Sequence, residues 1–419
     1  MSYLALTLRG LSCLSLSLLL SACGGGGGGS TPQPSKSSTP IASSLAASSK
    51  AVASSIAASS SPAPSSTPLS STVSSALASS SATSLSNAIN TKLIDPNASA
   101  KTQAVYDYLR SIWGKKTLSG QQDLTWQDAI DMYQRVADDT GKAPAVMGYD
   151  FMNYTRSWGG SGYQQTEEAI THWNRGGLVS LCWHWRDPSR ATTEFYTNKT
   201  TFKIPVVNGA LDTSSAAYTQ MNTDIDIIAA ELKTLQTAGV PVLWRPLHEA
   251  SGNDQGGWFW WGRARTDGVD PAQAQVLLWR HLYDRLTNTH GLHNLIWVWN
   301  GQKKSWYPGD AYVDIVSQDV YDGAKRYGSQ INLFNATTAY SDSPKMVAMS
   351  ENSNIPDPDN MATDKAQWLW FMVWNDSDTA AGVTDSGNFW TGEYYNTNAH
   401  KTKVYNHNNV ITLDELPAF

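Results

Sequence analysis

The chain has 419 residues, 16% of them charged, and its formal net charge at pH 7 is −6. It contains no extended run of lysine and arginine, which argues against nucleic acid as a partner. The composition is uneven, because all 18 tryptophans and all 8 phenylalanines lie after residue 90. That later part, about 330 residues long, fits one large domain or two small ones.

Residues 1–22 predict a secretory signal peptide. Arg9 is the only charge before a short apolar core, residues 11–20, which is too short for a comfortable membrane span. The signal ends in the letters LSAC, which resemble the bacterial lipobox. That resemblance implies cleavage before Cys23, lipidation of its thiol and, with Gly24 after it, a place in the outer membrane. The alternative is ordinary secretion with an incidental cysteine.

Residues 23–90 predict a flexible tether. After the cysteine the segment begins with six glycines and continues with serine, alanine, proline and threonine, without an aromatic residue. Such a composition buries too little apolar surface to offset its ordering entropy. Cys13 leaves with the signal and Cys23 would carry lipid, so Cys182 would remain alone. A domain over residues 91–419 would therefore be held by its core and not by disulfides.

Eight short apolar runs recur in this domain, each ending in polar or aromatic residues. Near-continuous apolar runs are typical of parallel strands covered on both faces. The predicted strands are TLSGQQ (117–122), PAVMGYDF (144–151), GLVSLCWHW (177–185), PVLWRPLHE (241–249), LIWVWNG (295–301), DIVSQDVY (314–321), KMVAMSE (345–351) and WLWFMVWND (368–376).

Helical patterns lie between most of these strands. One of them starts with Pro271 as a first-turn residue and ends before Gly291. The predicted helices are 125–140, 164–175, 218–238, 271–290 and 329–340, and the helix after the fifth strand is short or missing.

Eight alternations of strand and helix in one domain predict a (β/α)8 barrel of the TIM type. A doubly wound open sheet is the alternative, although no glycine-rich phosphate motif follows any strand. In such a barrel the active site lies at the carboxyl ends of the strands. The residues predicted there are Gln121, Gln122, Asp150, His184, His248, Glu249, Asp319, Tyr321, Glu351 and Trp374.

Two carboxylic acids stand out among these residues. Glu249 ends the fourth predicted strand and Glu351 ends the seventh. Retaining glycoside hydrolysis uses two carboxyl groups about 5–5.5 Å apart, one as proton donor and one as nucleophile. An excess of tryptophan over phenylalanine also suits sugars, which present flat apolar faces with polar edges. A tryptophan-rich core is the alternative explanation of that excess.

At this point a family resemblance becomes specific. RPLHE (245–249) followed by WFWWG (258–262) resembles glycoside hydrolase family 26, the β-mannanases of the large (β/α)8 retaining clan. SGQQ (119–122), SLCWHW (180–185), SQDVY (317–321) and SENS (350–353) match the family in the same order. The clan carries its acid/base on strand four and its nucleophile on strand seven, in agreement with the predicted strand order.

The resemblance assigns roles to individual residues. It implies that Glu249 is the acid/base and Glu351 the nucleophile, with Tyr321 hydrogen-bonded to Glu351. It further implies sugar contacts in the −1 subsite. The residues implied for these contacts are His184, His248 and Asp319, with Trp374 as the stacking floor and Trp258 on the leaving-group side.

Three departures from the family stand out. The loop 250–257 after the acid/base is about four residues longer than usual and lies beside the leaving-group subsites. Some members carry arginine after the strand-eight tryptophan, at the −2 subsite, whereas this chain has Asn375 and Asp376. The long segment 186–215 after the third strand is placed to wall one end of the cleft.

Each assignment has a structural alternative. The two glutamates can be strand ends paired with Arg245, which we expect to orient carboxylates from within the barrel. The histidines, aromatic residues and Asp319 can be core or capping residues, and Gln121 is open between the two interpretations. Asp150 is expected to be structural. No cluster has metal-ligand spacing, and Cys182 has no clear base, so neither a metal nor another cofactor is expected.

The sequence therefore predicts a monomeric retaining β-1,4-mannanase, anchored to the outer membrane as a lipoprotein. An anchored enzyme cannot diffuse into a plant wall, which favours mannan-derived oligosaccharides and exo-like release of mannobiose. The alternatives are an endo-β-mannanase on polymeric mannan, a related β-glucanase or β-xylanase, and a surface glycan-binding protein without activity.

Overall fold

The computed structural model of the chain describes residues 88–123, 131–155, 164–252, 256–376 and 386–419. The signal peptide, the lipidation site at Cys23 and nearly all of the tether predicted from the sequence lie outside these ranges. Within them, no helix is both long and apolar enough to cross a membrane.

The centre of the fold is a parallel sheet of seven strands. In chain order the strands of the described ranges are β1 (Thr117–Leu118), β2 (Gly120–Gln122), β3 (Val146–Asp150), β4 (Leu178–Trp183), β5 (Val206–Val207), β6 (Ala210–Leu211), β7 (Val242–Pro246), β8 (Leu295–Trp299), β9 (Ile315–Val320), β10 (Met346–Asn352) and β11 (Val410–Ile411). The sheet runs in the order β10-β9-β8-β7-β4-β3-β2. Its strands from β3 to β10 are buried along their whole length, as their apolar sequences predict.

An irregular segment closes the sheet into a barrel. The N–H of Val373 donates to the carbonyl of Gly120 at 3.2 Å, and its own carbonyl accepts from Gln122 at 2.8 Å. On the other side, the N–H of Asn352 donates to the carbonyl of Met372 at 2.8 Å. The eighth predicted strand therefore bonds to both edges, which gives the (β/α)8 barrel and excludes an open doubly wound sheet.

Helices surround the barrel. In the described ranges they are α1 (Ala100–Ile112), α2 (Met132–Thr140), α3 (Gln165–Asn174), α4 (Ala216–Thr237), α5 (Pro271–Tyr283), α6 (Ile331–Thr338), α7 (Pro358–Asp364) and α8 (Asn398–Tyr405). Helix α5 begins with Pro271 after the cap Asp270, as predicted, and continues as a π-helical turn to Thr289. After β8, two short 3-10 turns replace the missing helix.

Several elements of the barrel's periphery were not predicted from the sequence, namely α1, the hairpin β5–β6, α7, α8 and β11. Helix α1 precedes the first strand, and its cap Ser99 accepts from the N–H of Thr102 at 3.1 Å. Near the end of the chain, β11 pairs in parallel with β1. Both extend the fold past the strand–helix repeats from which the barrel was predicted.

Candidate active site

The fourth barrel strand is shorter than predicted, and this places the acid/base candidate in a turn. Strand β7 ends at Pro246, so the prediction of a strand up to Glu249 was wrong. Leu247 and Glu249 take positive φ angles of 52° and 50°, a left-handed conformation that is costly for side chains with a Cβ. The N–H of Glu249 donates to the carbonyl of Asn300 at 2.7 Å, which fixes the turn.

Glu249 is buried in an environment that favours its protonated form. Burial, and then the negative charges of Asp319 and Glu351, raise the pKa of Glu249 well above its usual value. A hydrogen bond with Asp319 acts in the same direction, while the indole N–H of Trp258, 2.8 Å from Glu249 Oε2, acts against it. The site thus holds a carboxyl group that is still able to donate a proton near neutral pH.

Asp319 is held rigidly at the carboxyl end of β9. The amide nitrogen of Asn300 and the hydroxyl of Ser350 donate to Asp319 Oδ1 at 2.6 and 2.8 Å. Burial and the charge of Glu351 raise the pKa of Asp319 to about 7. The hydrogen bond between the two carboxyl groups raises the pKa of Glu249 and lowers that of Asp319, which makes Glu249 the proton donor of the pair.

Glu351 lies in the opposite environment, on β10 at a bulge in its pairing with β9. The guanidinium of Arg245 donates to Glu351 Oε1 at 2.6 Å, and the phenol of Tyr321 donates to Oε2 at 2.6 Å. Both donors favour an ionised carboxylate. Burial alone would lower the pKa of Arg245, but Glu351 and Asp319 outweigh it and the pKa is raised. Arg245 thus orients carboxylates from inside the barrel.

Two histidines lie next to this pair in a hydrogen-bonded chain. Asp150 Oδ2 is 2.5 Å from His184 Nδ1, and His184 Nε2 is 3.1 Å from His248 Nε2. Bonding to Asp150 places a proton on His184 Nδ1. Burial, followed by the neighbouring His184 and Arg245, lowers the pKa of His248 well below its usual value, so its ring is neutral.

The aromatic candidates line the same site. Trp258 and Trp374 are half-buried, and the Trp374 ring lies 5.9 Å from the ring of His184. Tyr321 keeps 41% of its surface exposed although its hydroxyl contacts Glu351. Gln121 is fully buried and bonds to the backbone carbonyl of Gln122 at 2.9 Å, which fits the structural interpretation.

The fold brings together two groups of potential metal ligands that sequence spacing did not indicate. Their ligand atoms lie within 4.8 Å of one another, in the groups Asp150, Cys182 and His184, and Glu249, Asp319 and Glu351. Burial, and then Asp150, raise the pKa of the Cys182 thiol well above its usual value, which disfavours the thiolate that binds metals. In the second group Arg245 already supplies the positive charge.

The sequence reasoning missed several residues that build the site. Asn300 contacts both the Glu249 backbone and Asp319, and its position at the end of the fifth apolar run was an available signal. Ser350 lies in the quoted SENS motif. Tyr196, 41% exposed, stacks on Phe259, whose ring lies 5.1 Å from the ring of His248. Nothing in its spacing indicated that place.

The structure also shows where the three departures from the family pattern lie. In the long segment after β4, Tyr196 forms an antiparallel bridge with Phe259, which ties that segment to the chain after Glu249. Asp376 is buried and accepts hydrogen bonds from backbone N–H groups of residues 389–391. The extended loop after Glu249 lies partly outside the described residues, which omit 253–255.

The site thus combines Glu249, a buried carboxyl group with a raised pKa, and Glu351, a carboxyl group bonded by a guanidinium and a phenol, with one oxygen of each within 4.8 Å of the other. Such a spacing agrees with the separation of about 5–5.5 Å used in double displacement, and not with the 6.5–9.5 Å that leaves room for a water molecule in single displacement.

Comparison with known proteins points to one family. The model described as Glycosyl hydrolase family 26 matches residues 94–415. A mannan endo-1,4-β-mannosidase of Thermothelomyces thermophilus is 44% identical over 338 residues, covering 78% of this chain and 64% of that protein. Mannan endo-1,4-β-mannosidase B of Piromyces sp is 35% identical, with 80% of this chain and 55% of that protein covered. The chain thus spans between about half and two thirds of the length of these curated relatives.

Solved structures agree in fold. A crystal structure of a Podospora anserina β-(1,4)-mannanase is 40% identical with a TM-score of 0.68, covering 78% of this chain and 69% of that chain. A β-mannanase from a symbiotic protist of the termite Reticulitermes speratus, solved with a gluco-manno-oligosaccharide, is 32% identical with a TM-score of 0.67. Here the alignment covers 79% of this chain and 99% of that chain.

Proposed function

The chain belongs to glycosyl hydrolase family 26, and from this premise we propose that it hydrolyses β-1,4-linked mannan chains with retention at the anomeric carbon. The observation that carries the proposal is the pair Glu249 and Glu351, two glutamates a few ångströms apart in opposite electrostatic environments. A glycan-binding protein without activity has no need of such a pair, which favours an enzyme.

The mechanism follows from the two environments. Glu351, held by Arg245 and Tyr321, attacks C1 of the mannosyl unit while Glu249 passes its proton to the departing glycosidic oxygen. The bond between C1 and that oxygen breaks, and a glycosyl ester forms on Glu351. Water then enters from the leaving-group side, gives a proton to Glu249 and its oxygen to C1, and releases Glu351.

The other candidate residues support these two steps. The neutral ring of His248 is fully buried, and its Nε2 lies 3.1 Å from His184 Nε2, so it borders the sugar site through the ring of His184. His184 and Asp319 line the same place, Trp374 offers a flat face under the ring, and Trp258 touches the acid/base on the leaving-group side. We assign these residues to the −1 subsite and, for Trp258, to the adjoining leaving-group subsite.

We propose endo cleavage as the mode of action. The relatives are named endo-acting, so the exo-like release of mannobiose expected from the tether has less support. A time course on mannohexaose separates the two modes. Mixed early products support endo cleavage, whereas early release of mannobiose alone supports the exo mode. Parallel assays on β-glucan and β-xylan oligosaccharides test the two other substrate classes.

The decisive test of the mechanism is the stereochemistry of azide rescue with a dinitrophenyl β-mannobioside. In Glu249→Ala, azide replaces water on the glycosyl-Glu351 ester and gives the β-azide. In Glu351→Ala, azide takes the place of the nucleophile on the other face and gives the α-azide. Glu167→Ala, an exposed position in the first turn of α3, is the control. Full activity of Glu351→Ala on mannooligosaccharides would overturn the assignment.

We also propose that the chain is an outer-membrane lipoprotein that acts as a monomer. The LSAC sequence, Cys23 and the glycine and serine tether after it support the lipid anchor. Labelling of cells with an alkyne fatty acid should tag the protein, and the substitution Cys23→Ser should remove the tag. Secretion of the wild-type protein without the tag would favour the ordinary signal peptide.

A further inference from the structure

A buried carboxylate, Asp376, follows the segment that closes the barrel. Its oxygens accept from the backbone N–H groups of Phe389 at 2.8 Å, Trp390 at 2.7 Å and Thr391 at 2.8 Å. Hydrogen bonds to an ionised acceptor are stronger than neutral ones. Three of them on successive amides give residues 389–392, here called the 389–392 segment, a fixed position.

Two further side chains hold the carbonyl groups of the same segment. The ammonium of Lys401, only 1% exposed, donates to the carbonyls of Trp390 at 2.6 Å and Gly392 at 2.8 Å. The amide of Asn396 donates to the carbonyl of Phe389 at 3.2 Å. The N–H groups of the segment are therefore bonded by the carboxylate of Asp376. Its carbonyl groups are bonded by the ammonium of Lys401 and the amide of Asn396.

This segment is also tied to the strand that carries the nucleophile candidate. Asn396 Nδ2 donates to the carbonyl of Ser353 at 2.7 Å, and Asn396 Oδ1 accepts from the N–H of Ile355 at 2.9 Å. Ser353 directly follows β10, on which Glu351 lies. Asn396 thus fixes the position of Phe389 relative to the end of β10, next to the carboxylate of Glu351.

Phe389 contacts Tyr321, whose phenol bonds the Glu351 carboxylate. Its ring lies 5.5 Å from the ring of Tyr321 at an angle of 64°, an edge-on contact. Tyr321 is 41% exposed, so it lacks the packing on all sides that fixes a buried ring. The Phe389 ring restricts the phenol on its protein side, while the hydroxyl donates to Glu351 at 2.6 Å.

We propose that Asp376 is a positioning residue for the nucleophile: through the 389–392 segment it fixes Phe389, which orients the Tyr321 phenol on Glu351. This inference rests on the proposed nucleophilic role of Glu351. Where some members of the family carry an arginine after the strand-eight tryptophan, this chain has Asn375, and the carboxylate of the next residue, Asp376, bonds the backbone of its own chain.

A double-mutant cycle tests the proposal, with kcat and KM measured on an aryl β-mannobioside. Tyr321→Phe removes a hydrogen bond to a charged group, which corresponds to a loss of about tenfold to a hundredfold in kcat. Phe389→Leu should lower kcat by about threefold to tenfold with little change in KM. In the Tyr321→Phe background, Phe389→Leu should have no further effect, because the phenol that it orients is already gone.

Asp376 is tested in the same cycle. Asp376→Ala should lower kcat and lose its effect in the Tyr321→Phe background, and Asp376→Asn should restore part of the activity because its amide oxygen still accepts. Phe334→Leu is the matched control, since this ring packs on Trp368 from helix α6, outside the barrel. If Asp376→Ala fails to fold in thermal unfolding, the Asp376→Asn and Phe389→Leu arms decide the matter.

Additive effects of Phe389→Leu and Tyr321→Phe would overturn the proposal, as would an unchanged kcat in Tyr321→Phe. A raised KM with constant kcat in Phe389→Leu would show that the ring contacts sugar, and would also overturn it. Failure of the proposed function has a separate signature, which is full activity of Glu351→Gln in the same assay.

Discussion

Asp319 sets the protonation of the acid/base candidate, so Asp319→Asn should shift the pH dependence of the reaction. In the free enzyme Glu249 must be protonated to donate to the leaving group, and activity is lost as pH rises through its pKa. The anion of Asp319 disfavours ionisation of Glu249 and thereby raises this pKa. Asparagine keeps the shape and an acceptor oxygen but removes the charge, so the pKa of Glu249 should fall.

The size of the shift follows from the distance between the two carboxyl groups. Their oxygens lie within 4.8 Å of each other, and a unit charge at that distance corresponds to about 3 kcal/mol at an effective dielectric constant of 20. This equals about 2 pKa units. Because Asp319 itself has a pKa of about 7, it is only partly charged in the neutral range. In a plot of kcat/KM against pH, we therefore expect the fall in activity on the basic side, here called the basic limb, to move down by about 1–2 pH units.

The measurement is kcat/KM on mannopentaose from pH 5 to 10, for wild type and variant. Asp314→Asn is the control, because burial also raises the pKa of Asp314 to about 7, yet this residue precedes β9 at the other end of the barrel. At the same effective dielectric constant, a charge about 17 Å away along a strand corresponds to about 1 kcal/mol, or less than about 1 pKa unit, so the control should move the limb clearly less than Asp319→Asn does. A basic limb that stays fixed or moves upward in Asp319→Asn would refute the electrostatic reasoning.

Three further predictions follow from contacts within the site. Trp258→Phe removes the N–H that stabilises ionised Glu249, so the basic limb should move up by about 1 unit, and a downward shift would contradict this. Asp150→Asn removes the anion that sets the His184 tautomer; kcat/KM should fall about tenfold or more, and unchanged kinetics would contradict it. Arg245→Met leaves buried carboxylates without their cation, so urea unfolding should show a loss of about 3–5 kcal/mol, and equal stability would refute the role.

The barrel could be predicted because its signal is local. Apolar runs such as LIWVWNG and KMVAMSE predict strands that are covered on both faces, whatever their position in the chain. The polar residues at their ends predict the face of the barrel that holds the active site. The eighth run, WLWFMVWND, shows the limit of this signal. Its backbone bonds to β1 and β2 on one side and to β10 on the other without forming a regular strand. A uniformly apolar sequence does not reveal such a bonding pattern.

The position of Glu249 shows a second limit. The sequence RPLHE continues an apolar run, yet the strand stops at Pro246 and the chain enters two left-handed conformations, at Leu247 and Glu249. No glycine or asparagine marks either position. The backbone energy is offset by tertiary contacts, among them the indole N–H of Trp261, which donates to the carbonyl of His248 at 2.9 Å. Those contacts arise only after the barrel has formed.

The role of a residue could be predicted where its side chain lies at the end of a strand. It was harder to predict where the role depends on hydrogen-bond partners that are distant in the sequence. Asp376 is an example, since the sequence showed only that it follows Asn375, the residue that stands where some members of the family carry an arginine. Its hydrogen-bond partners lie in the 389–392 segment, beyond a stretch of chain that carries no motif. Only the folded structure shows that the carboxylate is already satisfied by backbone amides.

Glu249 and Glu351 lie in opposite electrostatic environments because the buried guanidinium of Arg245 is not shared equally among the carboxyl groups of the site. Arg245 Nη2 lies 2.6 Å from Glu351 Oε1, while Arg245 Nη1 lies 3.6 Å from Asp319 Oδ2. Glu351 therefore gains a full ion pair, whereas Glu249 meets an aspartate whose charge is partly compensated. Two identical side chains thus lie in different electrostatic environments, because the guanidinium on β7 bonds the carboxylate on β10 and not the carboxyl group in the turn that follows its own strand. The chemistry of the pair is thus set by a residue that need not touch the sugar at all.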